Sequence, residues 1–512
     1  MKMKKSLVSL VTLVSLVGLV SLTSCKKEES LGNGTQFRAT MEGCTAQDGK
    51  TALDISGTAL NWVSGDQIAV YGTSGCGIYR ATLQTPATST DFDNVSGETG
   101  DGPFRAFYPT TLTTDGVNVT LPATQTYVEG SINEFPMYAE SSNNELAFKN
   151  LCGVLKLHLT KANTSISSIE VVANSEVNGT FSVSLNGGIP ELTYVSGGTN
   201  SVVLNCTTAQ DISEGVDFYI TLPATFDSVK SITLTADNDF VCTKKVKNTS
   251  QINISRSQYT LVTLGENDLE FRAIGSKGGL FTINADGDQV WFSQGNLQYQ
   301  ASTNTWRFAL NQYDYVGNDN ENISATYSGW IDLFGWGTGS NPTLSSTYYA
   351  YYGTFTDWGS NTISNGGNTA NSGWRTLSQV EWNYLLYTRA NASSKMGGGS
   401  VNGVHGEIVL PDSWTLPAGL TFTAGQNGWQ NSYTLAQWAL MEAAGAVFLP
   451  TAGYRYGTSV YDVGNTGIYW PSTPWDEFFA YHLDISSYGL GIDVTNAYHS
   501  FGFAVRPVRD NN

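Results

Sequence analysis

Basic side chains are scarce in this chain. Lys and Arg number 26 against 44 Asp and Glu, the formal net charge is −18, and only 14% of the residues are charged. A groove for a nucleic-acid backbone needs a basic stripe, and the absence of one excludes nucleic acid as a partner. Cysteine is also rare: six residues, no Cys-x-x-Cys pair, and none after Cys242. That excludes a disulfide framework. Cys44, Cys76, Cys152, Cys206 and Cys242 read as buried thiols with at most an incidental disulfide. The four histidines, His158, His405, His482 and His499, have no spacing that reads as a metal site, so no metal and no cofactor is expected. What is plentiful is Gly, Ser, Thr, Asn and Tyr, the composition of an exported β-protein with many turns.

The N-terminus is the most legible part. Met1 to Lys5 carry three lysines, and Ser6 to Leu22 carry no charge. The run reads as a signal-peptide core, because a membrane span needs about 20 apolar residues and different flanks. It ends in Leu22-Thr23-Ser24-Cys25, which resembles the lipobox of bacterial lipoproteins. The resemblance implies removal of residues 1–24 and acylation of Cys25, with palmitate among the expected chains, as an anchor in the outer membrane. The following Lys26-Lys27-Glu28-Glu29-Ser30 resembles the tag that sends some Bacteroidetes lipoproteins to the outer face of that membrane.

Behind a lipid-anchored linker, 25–38, the nearly 490 remaining residues suggest about three domains. Short alternating strands dominate the first part. Leu155, Leu157 and Leu159 alternate with Lys156, His158 and Thr160, which places His158 on a solvated face; Phe181, Val183 and Leu185 alternate with Ser182, Ser184 and Asn186. The pentapeptide Thr-Leu-Pro-Ala-Thr occurs at Thr120–Thr124 and again at Thr221–Thr225, a weak internal repeat. "NWVSGDQIAVYG" (Asn61–Gly72), "FRAFYP" (Phe104–Pro109) and "FKNLCGVLKLHL" (Phe148–Leu159) resemble the fimbrillin, or Mfa-like, proteins of Bacteroidetes. The resemblance implies two transthyretin-like β-sandwiches, at 39–147 and 148–266, in a surface lipoprotein, pilus subunit or pilus tip. In polymerising members a protease cuts after an N-terminal Arg and frees a groove for a strand of another pilin. Arg38 stands where such a cut would fall.

A linker at 267–280 leads into a tryptophan-rich block, 281–512. Trp62 precedes it, and the other twelve tryptophans lie between Trp291 and Trp475. Ser378 with Glu381 three residues on predicts a capped helix over 377–390; a second fits 434–445, closed by Gly445. Helices among short strands make this block α+β. "WRTLSQVEW" (Trp374–Trp382), "FLPTAGYR" (Phe448–Arg455), "YWPSTP" (Tyr469–Pro474) and "GFAVRPVR" (Gly502–Arg509) resemble the C-type-lectin-like domain of formylglycine-generating enzymes, also found in the Fibrobacter major paralogous domain. The oxidases of that family act through a copper-holding cysteine pair, and 281–512 contains no cysteine. The sugar-and-calcium tripeptide of true C-type lectins is absent too. Asn318–Asn322 ("NDNEN") reads as a turn in preference to a calcium loop. Asp476 and Glu477, adjacent on a loop, do not make an acid–base pair. No catalytic residue is expected.

The last absence is local. Between Phe478 and Arg509 there is no Lys, Glu, Gln, Met or Trp, although these types account for 70 of the 512 residues. Some members of the resembled family are variable proteins of diversity-generating retroelements. Randomising both adenines of an Asn codon yields every amino acid except those five. The resemblance therefore implies a ligand surface that includes Phe479, His482, Asp484, Tyr488, Asp493, Tyr498, His499 and Phe501, with Trp470, Phe503 and Val505 as core. Such side chains give rigid contact area and adaptable hydrogen bonds. The expected protein is a surface lipoprotein whose head binds a glycan or protein of a host or bacterial surface. The alternatives are a structural pilus subunit or cap, and, against the missing cysteines, an enzyme of the formylglycine-generating type.

Overall fold

A computed structural model describes residues 36–43, 45–46, 61–132, 135–224, 228–247, 251–347, 354–367, 373–425, 428–487, 489–493 and 497–511. Cys25, Tyr488 and the side chain of Asp493 lie outside the described residues. The chain is mostly β-sheet and divides into two compact units. The first draws on Met1–Glu42, Leu60–Thr111 and Tyr138–Lys149, and the second on Gly43–Ala59, Leu112–Met137 and Asn150–Asn512.

The first unit, read from sequence as a transthyretin-like β-sandwich, is all-β, and its seven strands close into a barrel. Its strands run in the order Phe37–Met41, Glu145–Asn150, Met137–Ser141, Phe104–Tyr108, Gln67–Gly72, Gly75–Ala81, Ser89–Gly97, and back to the first. Closure removes the free edges that an open sheet must protect. Period-2 alternation turns Phe37 and Ala39 inward and Arg38 and Thr40 outward. Phe37 meets Tyr79 at 4.8 Å and Phe104 at 4.9 Å, ring edge to face, while Trp62 sits against Phe92 at 4.9 Å and Phe148 at 5.3 Å.

The second unit begins with a β-domain. Cys152–Leu159 runs between Val216–Pro223 and Gln258–Leu264, and Ser165–Ala173 runs between Ser201–Asp211 and Val229–Ala236. Their inward faces bury Leu155, Leu157, Leu159, Ile169, Val171 and Leu234 together. Residues 112–137, expected in the first domain, contribute here: Asn118–Leu121 pairs with Gly179–Asn186, and Thr124–Thr126 pairs with Ser201–Asp211. His158 is half exposed on the polar face, its Nδ1 2.8 Å from Asp217.

The C-terminal block belongs to the same unit. Its final strand, Val508–Asp510, pairs with Gln289–Ser293 on one side and Trp374–Arg375 on the other, so the block's two ends meet in one sheet. Ala236 and Phe240 of the preceding domain, with Ala273 of the expected linker, share a core with Phe308, Trp374 and Trp358. Arg509 lies over the Phe240 ring at 4.9 Å and donates to the Asn238 carbonyl. The helix expected from Ser378 starts with the full capping box: Glu381 N donates to Ser378 Oγ and Ser378 N to Glu381 Oε2. It runs as α-helix only over Gln379–Asn383 and continues as a π-turn, Tyr384–Thr388, closed by Arg389 N donating to Tyr384 O, while Arg389 Nε donates to the Leu385 carbonyl. The second helix, Leu435–Ala443, is capped by Thr434 and Gln437 and stops at Gly445, whose φ of +104° suits glycine.

Candidate ligand-binding surface

Two main-chain pairings build the surface. The hairpin Tyr454–Tyr456 with Ser459–Tyr461 is bound to the last loop by Arg455 N to Gly502 O, 2.9 Å, and Gly502 N to Arg455 O, 2.8 Å. Alternation turns Arg455 inward and leaves Tyr454 and Tyr456 outward. The Arg455 guanidinium is fully buried. Its Nη1 donates to Gly457 O at 2.5 Å and its Nη2 to Leu333 O at 3.2 Å, and burial pulls its pKa down to about 10. Its side chain crosses Gly502 so closely that a Cβ there would stand 2.9 Å from Arg455 Cβ, Nε and Nη2. A glycine is therefore required where the hairpin meets the final loop.

The second pairing joins Phe479 to Tyr498 in an antiparallel bridge, with His499 N donating to Phe478 O and Ala480 N to Ala497 O. Asp476 Oδ1 accepts from Phe478 N and Phe479 N, so this carboxylate caps the turn that starts the segment. The two pairings bring together six partly or largely exposed rings. Phe479 lies 4.4 Å from Tyr498, Tyr498 5.8 Å from Phe501, Phe501 5.2 Å from Tyr456 and Tyr454 5.5 Å from Tyr461. Trp475, 54% exposed, packs on Tyr481 at 5.4 Å.

Three of the expected ligand residues, Phe479, Tyr498 and Phe501, thus meet at one surface. Asp484 lies half-buried on the strand His482–Ser486, opposite Ile468 and Gly491. His482 and His499 are corrections: they are 7% and 3% exposed and belong to the layer beneath. The His499 ring stacks on Trp336 at 4.3 Å and 20°, and His482 lies 5.7 Å from Phe503. Trp470, Phe503 and Val505 are core, with Trp470 and Phe503 rings 4.2 Å apart. Tyr454, Tyr456 and Tyr461 were not foreseen; they lie in and after the "FLPTAGYR" motif, outside the segment that lacks five residue types. Their outward-facing Tyr-x-Tyr spacing was the available signal.

Among the described residues no group of three or more His, Cys, Asp or Glu could hold a metal. In the Asn318–Asn322 segment Asn320 is buried, donating to Asp332 Oδ1 at 2.8 Å and accepting from Asp332 N and Leu333 N, so it braces the fold. Burial pushes the Asp332 carboxyl up to about 6. Cys76, Cys152, Cys206 and Cys242 are free thiols.

No family model matches the chain, and no curated protein matches it. Its structural neighbours are fimbrial and cell-adhesion proteins of Bacteroidetes. A Bacteroides ovatus protein described as a "putative cell adhesion protein" is 14% identical, with 46% of this chain and 94% of that one covered at a TM-score of 0.30. A fimbrial protein of the same species is 10% identical over 94% and 99% of the two chains, at 0.23. The tip fimbrial protein Mfa3 of Porphyromonas gingivalis, C-terminally truncated, is 11% identical over 46% and 98%, at 0.20.

Proposed function

We propose that this chain is a fimbrillin-like surface adhesin. A lipid on Cys25 anchors it in the outer membrane, and the C-type-lectin-like block 281–512 presents its aromatic surface to a glycan or protein of a host or bacterial surface. The observation that carries this reading is the cluster of partly or largely exposed rings formed by Tyr454, Tyr456, Tyr461, Phe479, Tyr498 and Phe501. Each ring brings a large contact area with only two side-chain torsions to freeze, and the tyrosines add a hydroxyl for hydrogen bonding. Arg455, holding two backbone carbonyls under the hairpin, pre-organises the surface and lowers the ordering cost of binding.

The same surface lies partly within the segment lacking five residue types, which favours a diversified head. Sequencing the gene's 3′ end across isolates tests this. Substitutions confined to adenine-derived positions between Phe478 and Phe501, with a template copy nearby, are expected; an invariant segment without a template refutes it. Binding itself is tested by presenting the intact protein and its Tyr456→Ser/Phe501→Ser variant to mucin and bacterial-surface arrays. Loss of about tenfold or more in affinity is expected for the variant, and undiminished binding contradicts the assignment.

A structural pilus role is the second reading. The Arg38–Ala39 bond lies inside the first barrel strand, whose neighbours are Glu145–Asn150 and Ser89–Gly97. A cut there, followed by loss of the strand, would open both neighbours to a strand donated by another pilin. Ladder-forming oligomers after treatment with an Arg-specific protease would favour this reading.

A further inference from the structure

We infer that the C-terminal block holds a second binding site, for a single carboxylate-bearing pyranose, in a cleft lined by the stacked pair Arg307 and Trp330. The cleft has a volume of about 450 Å³, the size of a small-ligand pocket. None of its residues belongs to the aromatic surface described above. The inference therefore goes beyond the adhesin reading and does not rest on it.

The hairpin Leu297–Gln300 with Thr305–Phe308 builds the cationic wall. Trp306 and Phe308 are buried, so alternation turns Arg307 to the outside. Its register partner Gln298, itself buried, accepts from Arg307 Nε at 2.9 Å. The guanidinium lies over the Trp330 ring, 3.6 Å from the centroid. Stacking and the Nε hydrogen bond fix the plane of the fork. Among the described residues neither Nη1 nor Nη2 has a protein acceptor within hydrogen-bond distance. Partial burial disfavours the guanidinium charge, a cost that an incoming carboxylate would offset. An arginine with its plane held and both terminal nitrogens unused is arranged for bidentate carboxylate recognition.

Tyr315, Tyr327 and Trp330 also line the cleft, and the Tyr327 ring lies so close over Gly329 that a Cβ there would meet it at 2.3 Å. Such faces suit the apolar faces of a sugar ring. Asp314 and Asp319 also line the cleft, and their repulsion weighs about twice as heavily on a dianionic phosphate as on a carboxylate, so what binds must do so through the Arg307 fork. Asp314 Oδ2 is held by Asn311 N at 3.0 Å and Asn311 Nδ2 at 2.9 Å, which fixes that carboxylate in place.

Methyl β-glucuronide and methyl β-glucoside, titrated into the intact protein by calorimetry, test the inference. The glucuronide is expected to bind at least about tenfold more tightly than the glucoside. Arg307→Gln should abolish the preference, Arg307→Lys should reduce it by losing the fork, Trp330→Leu should weaken both sugars, and Asp314→Asn should strengthen the glucuronide. Equal affinities, a preference that survives Arg307→Gln, acetate competing as well as the glucuronide, or no binding of either sugar up to about 10 mM would each overturn it. The Tyr456→Ser/Phe501→Ser variant should bind the glucuronide like the parent, which keeps this test apart from the adhesin reading.

Discussion

Replacing Glu407 by Gln should flatten the pH dependence of stability in the second unit near neutrality. Glu407 sits on the strand Val404–Val409, opposite Gly398 and Leu449, and is 1% exposed. Among the described residues no cation compensates it, and burial pushes its carboxyl up from 4.5 to about 8. The folded state therefore keeps the proton over a range in which the unfolded chain has released it. Its favourable state is intact below pH 4.5, and stability is lost as pH rises towards 8. The loss is about 1.4 kcal/mol per pH unit, or about 5 kcal/mol over the whole interval. Asp332, raised to about 6, titrates below the upper part of this window, and the four histidines are common to both chains, so between pH 6.5 and 7.5 the difference between parent and variant reports Glu407. Twelve of the thirteen tryptophans lie between Trp291 and Trp475, so their emission follows unfolding of the C-terminal block in urea. The parent should lose about 1.4 kcal/mol more between those pH values than Glu407→Gln does. Equal losses in both chains would refute the reasoning.

Gly502→Ala should cost about 1–3 kcal/mol, because its Cβ must displace the buried Arg455 side chain; urea unfolding followed by tryptophan emission measures this. Ser378→Ala and Thr434→Ala should each cost about 1 kcal/mol by the same assay, since each removes a side-chain acceptor for the backbone N–H three residues on. Asp91→Asn should cost under about 1 kcal/mol, because its 3.2 Å pair with Arg38 is half exposed. Cleavage by an Arg-specific protease after Arg38 should be slow in native buffer and accelerate only as the barrel opens, since that bond lies in a strand paired on both sides. Rapid native cleavage, followed by mass spectrometry, would contradict this.

Local signals were readable where they act over three or four residues. The Ser378–Glu381 box and the Leu155, Leu157, Leu159 alternation both stand in the structure. Phe181, Val183 and Leu185 show the limit. Phe181 is buried, but Leu185 is 41% exposed, because the partner strand Asn118–Leu121 stops opposite Ser182 and leaves the rest of the alternating face uncovered. The assignment of residues 112–137 to the second unit depends on pairings with residues 179–182 and 203–205, far along the chain, which no local pattern encodes. At the candidate surface, chemical type was legible but orientation was not. His482 and His499 read like Tyr498 in sequence, yet they lie beneath the surface, His499 because its ring stacks on Trp336. The contribution of Tyr454, Tyr456 and Tyr461 follows from the pairing of Arg455 with Gly502.

Hydroxyl-radical footprinting of the intact protein, with and without mucin, tests the central claim most directly. The account predicts protection at Tyr454, Tyr456, Tyr461, Phe479, Tyr498 and Phe501, with the barrel rings Phe37 and Trp62 unchanged. Mucin binding that leaves those six rings as reactive as in the free protein would contradict it.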